Sequence, residues 1–287
     1  MSRVAYVNGR YLPHREANVH IEDRGYQFAD GVYEVCEVAR GYIIDMKRHL
    51  DRLNRSLSEL AMAWPIDRKA LEFVLFEVVR RNRVRDGKVY LQVTRGVAPR
   101  DHVFPSDSVR SALVVTAGSS NPRAAERRAN KGIAVITVPE NRWERVDIKT
   151  VGLLPNVLAR QAAKERGAQE ALFVDADGMV KEGAATNAWI VTMDGVLVTR
   201  PAEFGILRGV TRTTVFDVAK ALGVTIEERA FSVEEALAAK EAFITAATTL
   251  VMPVVTIDGK PVANGEPGSV TLRLREAFFD IAEKRMS

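Results

Sequence analysis

Lys149 is a lone amine in the largely apolar run Val146-Asp147-Ile148-Lys149-Thr150-Val151-Gly152-Leu153-Leu154. Burial disfavours an ammonium ion, and the neutral amine it leaves is a nucleophile. On the segment alone, an exposed loop lysine is the default reading. Glu182 stands in Val180-Lys181-Glu182-Gly183-Ala184-Ala185-Thr186-Asn187. The small residues after it would let a flat ring approach the backbone, and its carboxylate could hold a proton on a pyridine nitrogen; by itself it reads first as a solvated turn glutamate. Ile206-Leu207-Arg208-Gly209-Val210-Thr211-Arg212 runs into a helix marked by Val215, Val218, Ala219 and Leu222. The free N–H groups and dipole of that helix start suit an anion; the plain alternative is an ordinary start capped by Thr211. Arg52 sits on a leucine-striped helix, off the stripe. Arg100 and His102, two apart in Pro99-Arg100-Asp101-His102, could clamp a carboxylate, although each is more often a surface residue.

Other chemistries lack their motifs. There is no phosphate-binding P-loop, no G-x-G-x-x-G after a strand and no G-x-S-x-G elbow. Cys36 and the scattered His14, His20, His49 and His102 have no zinc spacing, so no metal is expected. The 287 residues are 47% hydrophobic and 27% charged, which is ordinary for a globular protein. The net charge of +4 is spread among acids, without the one-sided basic face or stacking platform of a nucleic-acid binder, but it could draw anionic metabolites. A single cysteine, Cys36, in an apolar stretch allows no internal disulfide and fits a buried core residue in a reducing compartment. The N-terminus has no signal-peptide pattern, and no apolar run approaches the roughly 20 residues of a membrane span. A cytoplasmic protein without membrane or nucleic-acid partners is expected.

The elements that must position these residues mix strands and helices. Val4–Val7, Asn8-Gly9 and Arg10–Leu12 predict a hairpin, as do Gly31–Val38 and Tyr42–Ile44 around Arg40-Gly41. Leu50, Leu53, Leu57 and Leu60 predict a helix over 47–62, ended by Trp64-Pro65, and a second helix follows over 67–83 with Asp67 as N-cap. Strands are predicted near 89–94, 111–117, 133–138, 172–174 and 189–191. Pro155 opens a helix that Gly167 closes, Gly223 ends another, residues 257–260 form a hairpin turn, and a helix spans 269–285. The Gly-Ser-Ser-Asn-Pro stretch at 118–122 is the best linker candidate, followed by a solvated charged run over 123–131. The organisation expected is α+β: a small N-terminal domain over 1–118, a linker over 119–127 and a larger domain over 128–287.

Taken together, several blocks resemble the D-amino-acid transaminases among the class IV, pyridoxal-phosphate (PLP) aminotransferases. They are Asp23-Arg24-Gly25-Tyr26-Gln27-Phe28-Ala29-Asp30-Gly31-Val32-Tyr33-Glu34-Val35, His49-Leu50-Asp51-Arg52-Leu53, Val93-Thr94-Arg95-Gly96 with Pro99-Arg100-Asp101-His102, Asp147-Ile148-Lys149 with Leu153-Leu154, and Glu182-Gly183 with Thr186-Asn187. Order and separation match over nearly the whole chain. The resemblance implies a two-domain fold-type IV enzyme with a PLP-binding C-terminal domain, ping-pong transfer between D-amino acids and 2-oxo acids such as 2-oxoglutarate or pyruvate, and a homodimer. It implies that Lys149 forms the Schiff base and that Glu182 pairs with the ring nitrogen. Arg52 and the backbone of Val210 and Thr211 would hold the phosphate, with Leu207 beside the ring. Tyr33, Arg100 and His102 would bind the substrate carboxylate. Ala246 and Ala247 depart from positions where the family often has hydroxyls, which leaves Thr248 or Thr249 to substitute. The rival readings are another class IV enzyme (a branched-chain or (R)-amine transaminase, or an aminodeoxychorismate lyase) and a non-catalytic anion-binding protein.

Overall fold

A computed structural model of the chain describes residues 3–203 and 205–286. It comprises two compact units. The first contains the chain up to Asn121, the short return Ile148–Gly152 and the end of the chain from Glu283; the second contains Pro122–Asp147 and Leu153–Ala282.

The first unit holds β1 (Val4–Val7), β2 (Arg10–Pro13), α1 (Arg24–Phe28), β3 (Gly31–Ala39), β4 (Tyr42–Ile44), α2 (Met46–Glu59), α3 (Arg68–Arg81), β5 (Gly87–Thr94) and β6 (Ala112–Ser119). With a closing two-residue strand, Lys284–Arg285, the strands form an antiparallel sheet in the order closing strand-β4-β3-β5-β6-β1-β2. Asn8 and Gly9 both take positive φ (45° and 93°) in the β1–β2 turn, the geometry that matches a hairpin's twist. In β3, strand alternation turns Val32, Glu34, Cys36 and Val38 to the buried face. The leucine stripe of α2 (Leu50, Leu53, Leu57) and Leu71, Leu75 and Val78 of α3 share one core with Val32, Cys36, Val38, Val89, Leu91 and Val93. Asp67 caps α3 by accepting from Lys69 and Ala70 N–H groups.

Two helix ends differ from the sequence expectation. Helix α2 stops at Glu59, ahead of Trp64-Pro65. Ala61 takes a left-handed φ of 49°, and the N–H groups of Ala61 and Met62 return to the carbonyls of Ser58 and Leu57, a Schellman end that needs no proline. The helix expected over 269–285 stops at Ile281, because Lys284 and Arg285 pair with Ile44 and Ile43 of β4.

The second unit holds α4 (Pro122–Ala129), β7 (Ile133–Pro139), α5 (Leu154–Glu165), β8 (Glu170–Val174), β9 (Val180–Gly183), β10 (Asn187–Val191), β11 (Leu197–Thr199), α6 (Val210–Ala221), β12 (Ile226–Glu228), α7 (Val233–Ala238), β13 (Glu241–Ala246), β14 (Leu250–Ile257), β15 (Lys260–Pro261) and α8 (Ser269–Ile281). Its sheet runs β12-β11-β10-β13-β14-β7-β8-β9, with β15 beside β14, and is mixed: β11–β12, β14–β7 and β7–β8 are parallel. Val135, Leu172, Ile190, Ile244, Met252 and Val254 build one core; Ala159 and Ala163 of α5 pack near Ile136 and Phe173 in another. The stretch 119–127 carries the last residue of β6 and most of α4, so the charged run there is largely helical.

Candidate active site

The return segment places Lys149. Because β4 pairs with β3 only at Val38 and Ala39, the edge of β3 at its start is open to another strand. Residues 148–151 take it: Tyr33 N–H donates to Lys149 O (3.0 Å), Val151 N–H donates to Gly31 O (3.0 Å), and Val32 bridges Thr150. The Lys149 amine, half-buried, donates to Tyr33 Oη at 3.2 Å and lies 4.3 Å from the Tyr33 ring centre. Lys149 therefore belongs to the first unit, although the sequence reading placed it within the second domain.

Beneath Tyr33, strand alternation sends Glu34 into the core, where a lone carboxylate would be costly. His49 and Arg52, one turn apart on α2, meet it there. His49 Nδ1 lies 2.7 Å from Glu34 Oε2, and Arg52 gives Nε to Oε1 and Nη2 to Oε2, each at 2.7 Å. Ionised carboxylates only accept, so Nδ1 carries the imidazole proton. Burial opposes all three charges. Attraction to Arg52 and His49 outweighs it for Glu34, held down to about 2, and attraction to Glu34 outweighs it for Arg52, whose pKa rises; for His49 burial prevails and the pKa falls. Arg52, expected to lie off the core stripe, is turned inward with its side chain 11% exposed.

Arg100 and His102 lie on an exposed loop of the first unit and meet on Phe28. The Arg100 guanidinium sits 4.8 Å from the Phe28 ring centre and the His102 ring 5.3 Å away. Between them, Asp101 O accepts from Arg24 Nη1 at 2.6 Å. Arg24 Nε donates to Asp30 at 2.8 Å, as does Arg95 Nε, and Arg95 also caps the end of α2 through the carbonyls of Leu60 and Ala61. Burial pushes Asp30 up, but the two arginines hold its carboxyl below the usual range. Sequence reasoning quoted Arg24, Phe28, Asp30 and Arg95 without a role; together they fix the loop. Of the three residues expected on a substrate carboxylate, the structure joins Arg100 and His102 on one ring and Tyr33 to Lys149.

In the second unit, Glu182 is 4% exposed on β9. Its carboxylate accepts from Arg142 Nη1 (2.7 Å), Asn187 Nδ2 (2.9 Å) and Leu207 N–H (3.1 Å). Asn187 Nδ2 also donates to Leu207 O (2.9 Å), so one amide ties the Leu207 backbone to Glu182. Gly209 approaches this amide so closely that a Cβ there would lie 2.0 Å from Asn187 Oδ1. Arg142, on the loop after β7, stacks 4.3 Å from the Phe173 ring centre and is held by Glu140. Arg142 has no motif around it; its only sequence signal is an arginine near a strand end.

Helix α6 begins at Val210 with Gly209 as N-cap, and no side chain caps it. Thr211 is thus inside the first turn and not the cap, and the first N–H groups, including those of Val210 and Thr211, lack a side-chain acceptor, as an anion site requires. In the turn between β13 and β14, Thr248 is exposed, whereas Thr249 Oγ1 is buried without a hydrogen-bond partner. Arg275 holds this turn through the carbonyls of Thr249 and Val251. An orphaned hydroxyl, an uncapped helix start and a carboxylate held by three donors fit the phosphate and ring nitrogen of PLP. Among the described residues no helix is long and apolar enough to cross a membrane, and no three His, Cys, Asp or Glu side chains are grouped to hold a metal ion.

A model of the amino-transferase class IV family matches residues 31–257. The D-alanine aminotransferase of Bacillus licheniformis is 38% identical over 271 residues, 94% of each chain. That of Staphylococcus haemolyticus is 36% identical over 282 residues, 98% of this chain and 99% of its own. Among solved structures, a T.th. branched-chain amino acid aminotransferase complexed with N-(5'-phosphopyridoxyl)-L-glutamate matches with a TM-score of 0.88 at 29% identity, covering 98% of this chain and 94% of that one. The norvaline complex of the Thermoproteus uzoniensis branched-chain aminotransferase matches at 0.86 and 25% identity over 99% of both.

Proposed function

The chain belongs to the class IV aminotransferases and is a PLP enzyme that transaminates D-amino acids; from that premise we propose how its residues divide the work. When bound, PLP supplies the electron sink that lets the Cα–H bond of an amino acid break heterolytically. With PLP bound, Lys149 would carry it, and the amine, once freed by substrate, would take the proton from the substrate Cα as general base and deliver it to the cofactor's C4′ carbon as general acid. Tyr33, 3.2 Å from that amine, aims it. Glu182 holds the proton on the ring nitrogen, and Leu207, whose backbone is tied to Glu182, lies beside the ring. The N–H groups of Val210 and Thr211, with Arg52 and a hydroxyl of the turn at Thr248 and Thr249, hold the phosphate.

Arg100 and His102, with Tyr33, hold the substrate carboxylate. The position of the carboxylate decides which face of Cα meets Lys149, and hence the handedness. The pair on Phe28 is the observation that carries the D-specific reading: two cationic or hydrogen-bonding groups on one ring, with the peptide between them pinned by Arg24. D-alanine and D-glutamate are the donors of this type, with 2-oxoglutarate or pyruvate as acceptor, in two half-reactions and hence ping-pong kinetics. The two solved structures compared above are branched-chain enzymes, so L-leucine is the informative rival substrate. Paired assays with 2-oxoglutarate should show D-alanine turned over and L-leucine not; the reverse would move the chain to the branched-chain activity.

A homodimer and a cytoplasmic location belong to the same proposal. Ile21 (75% exposed), Tyr26 (76%), Val103 (70%) and Phe104 (59%) leave apolar surface on the segments flanking the carboxylate loop, which a second copy would cover. Sedimentation at micromolar concentration should give twice the chain mass of 31.7 kDa.

A further inference from the structure

Where α3 runs out beside the β3–β4 turn, the first unit has a surface cavity of about 310 Å³. Its inner wall is apolar: Val79 and Val84 are buried, and Phe76 is half-buried against the core. Its rim is basic, because Arg80, Arg83 and Arg85 line it and are exposed. Gly41 of the turn also lines it, and the Gly41 N–H donates to Arg85 O at 2.7 Å, which ties the turn to the segment after the helix.

Two of the arginines here stand where the backbone favours glycine. Helix α3 ends in a Schellman return, with Arg83 N–H donating to Arg80 O (3.0 Å) and Val84 N–H to Val79 O (3.1 Å). The residue that must turn left-handed in that motif is Arg83, at a φ of 53°. In the β3–β4 turn Arg40, next to Gly41, takes a φ of 54°. Glycine holds such positions without strain, and a strained side chain kept at the edge of a cavity points to function.

The acids of these segments are engaged elsewhere. Glu77 accepts Nε and Nη2 of Arg80, each at 2.8 Å, and Nε of Arg81 at 2.6 Å. Asp86 accepts the Arg40 N–H at 3.0 Å. Glu72, one turn before Phe76, pairs with Arg68 at 3.7 Å. Among the described residues the side chains of Arg83 and Arg85 have neither an acid nor an acceptor. Guanidinium groups suit the oxygens of phosphates, which they bind two-pronged, and an apolar wall with an aromatic ring suits a flat organic body.

We propose that this cavity binds a small organic polyanion of the nucleoside diphosphate class, its base against Phe76 and its phosphates on Arg83 and Arg85, with Arg80 at the rim. The cavity adjoins the end of β3 opposite Tyr33, about 20 Å along the strand, so its occupant leaves Lys149 accessible.

The experiment is calorimetric titration of the PLP-saturated protein with ADP and, separately, with pyrophosphate; saturation keeps the cofactor's own phosphate site filled. One ADP per chain should bind with a sub-millimolar Kd. Arg83→Gly, which gives the helix end its favoured residue and so preserves the fold, should weaken ADP about tenfold, as should Arg85→Gln. Arg127→Gln, which removes an exposed charge on α4, should leave the affinity unchanged. Pyrophosphate, lacking a base, should bind about tenfold more weakly than ADP. No saturable binding up to several millimolar, or an unchanged affinity in Arg83→Gly or in Arg85→Gln, would overturn the proposal. So would an equal loss in Arg127→Gln, which would mean attraction to net charge alone, and so would pyrophosphate binding as tightly as ADP. Should Arg85→Gln fail to fold, Arg83→Gly decides.

Discussion

Replacing Glu34 by glutamine keeps the side-chain size and removes one charge from a fully buried site. The wild-type carboxylate accepts three hydrogen bonds at 2.7 Å, one from His49 and two from Arg52. A glutamine offers one accepting oxygen and one donating NH₂. With its oxygen where Oε2 lies, it keeps Arg52 Nη2 and His49 but sets NH₂ against Arg52 Nε; with its oxygen where Oε1 lies, it loses two bonds. Either way a nearly buried guanidinium loses its counter-charge. Removing one partner of a buried pair costs about 3–5 kcal/mol, or about 5–8 °C in the unfolding midpoint at this chain length. Calorimetry and urea unfolding of Glu34→Gln and wild type, both saturated with PLP, measure the difference. A loss below about 1 kcal/mol would refute the reasoning, because it would mean the three groups are not mutually dependent.

Acid stability follows from the same cluster. The pKa of His49 is depressed from its ordinary 6.5 and that of Glu34 from 4.5 to about 2. Both contributions are fully present above the ordinary values and are lost as pH falls, the imidazole's below 6.5 and the carboxylate's between 4.5 and about 2. The urea midpoint should therefore decline below pH 6.5 and more steeply below 4.5, with a shallower acid limb in Glu34→Gln; parallel profiles would contradict the assignment. For the carboxylate loop, Arg100→Ala removes a charge-assisted contact worth about 1.5–3 kcal/mol, so KM for D-alanine should rise roughly 10- to 150-fold while PLP affinity is kept. Equal losses of both, measured by kinetics and cofactor titration, would show that Arg100 is not a substrate residue.

Local structure was legible where local rules govern it. Asn8-Gly9 announced its hairpin and Asp67 its helix. The residues expected on cofactor and substrate were recognisable because their blocks resemble a family, whereas each alone reads as an ordinary surface group. The groups that hold them were not legible. Asp30 meets Arg95 across 65 residues, Arg24 meets Asp101 across 77, and Arg142 meets Glu182 across 40; no window of sequence contains both partners. Glu34 passed as one member of an apolar stretch because the helix that neutralises it lies a hairpin away. The return of residues 148–152 to the first unit was equally hidden, since it depends on a short β4 leaving the edge of β3 open. The helix expected to run to 285 was cut short by the same kind of distant pairing, Lys284 and Arg285 on β4.

The most direct test of the account is to treat the PLP-loaded protein with borohydride, digest it and locate the reduced phosphopyridoxyl group by mass spectrometry. The account predicts the group on Lys149 alone, with none after prior exposure to excess D-alanine without an acceptor. A label on another lysine, or none on a protein that turns over D-alanine, would contradict it.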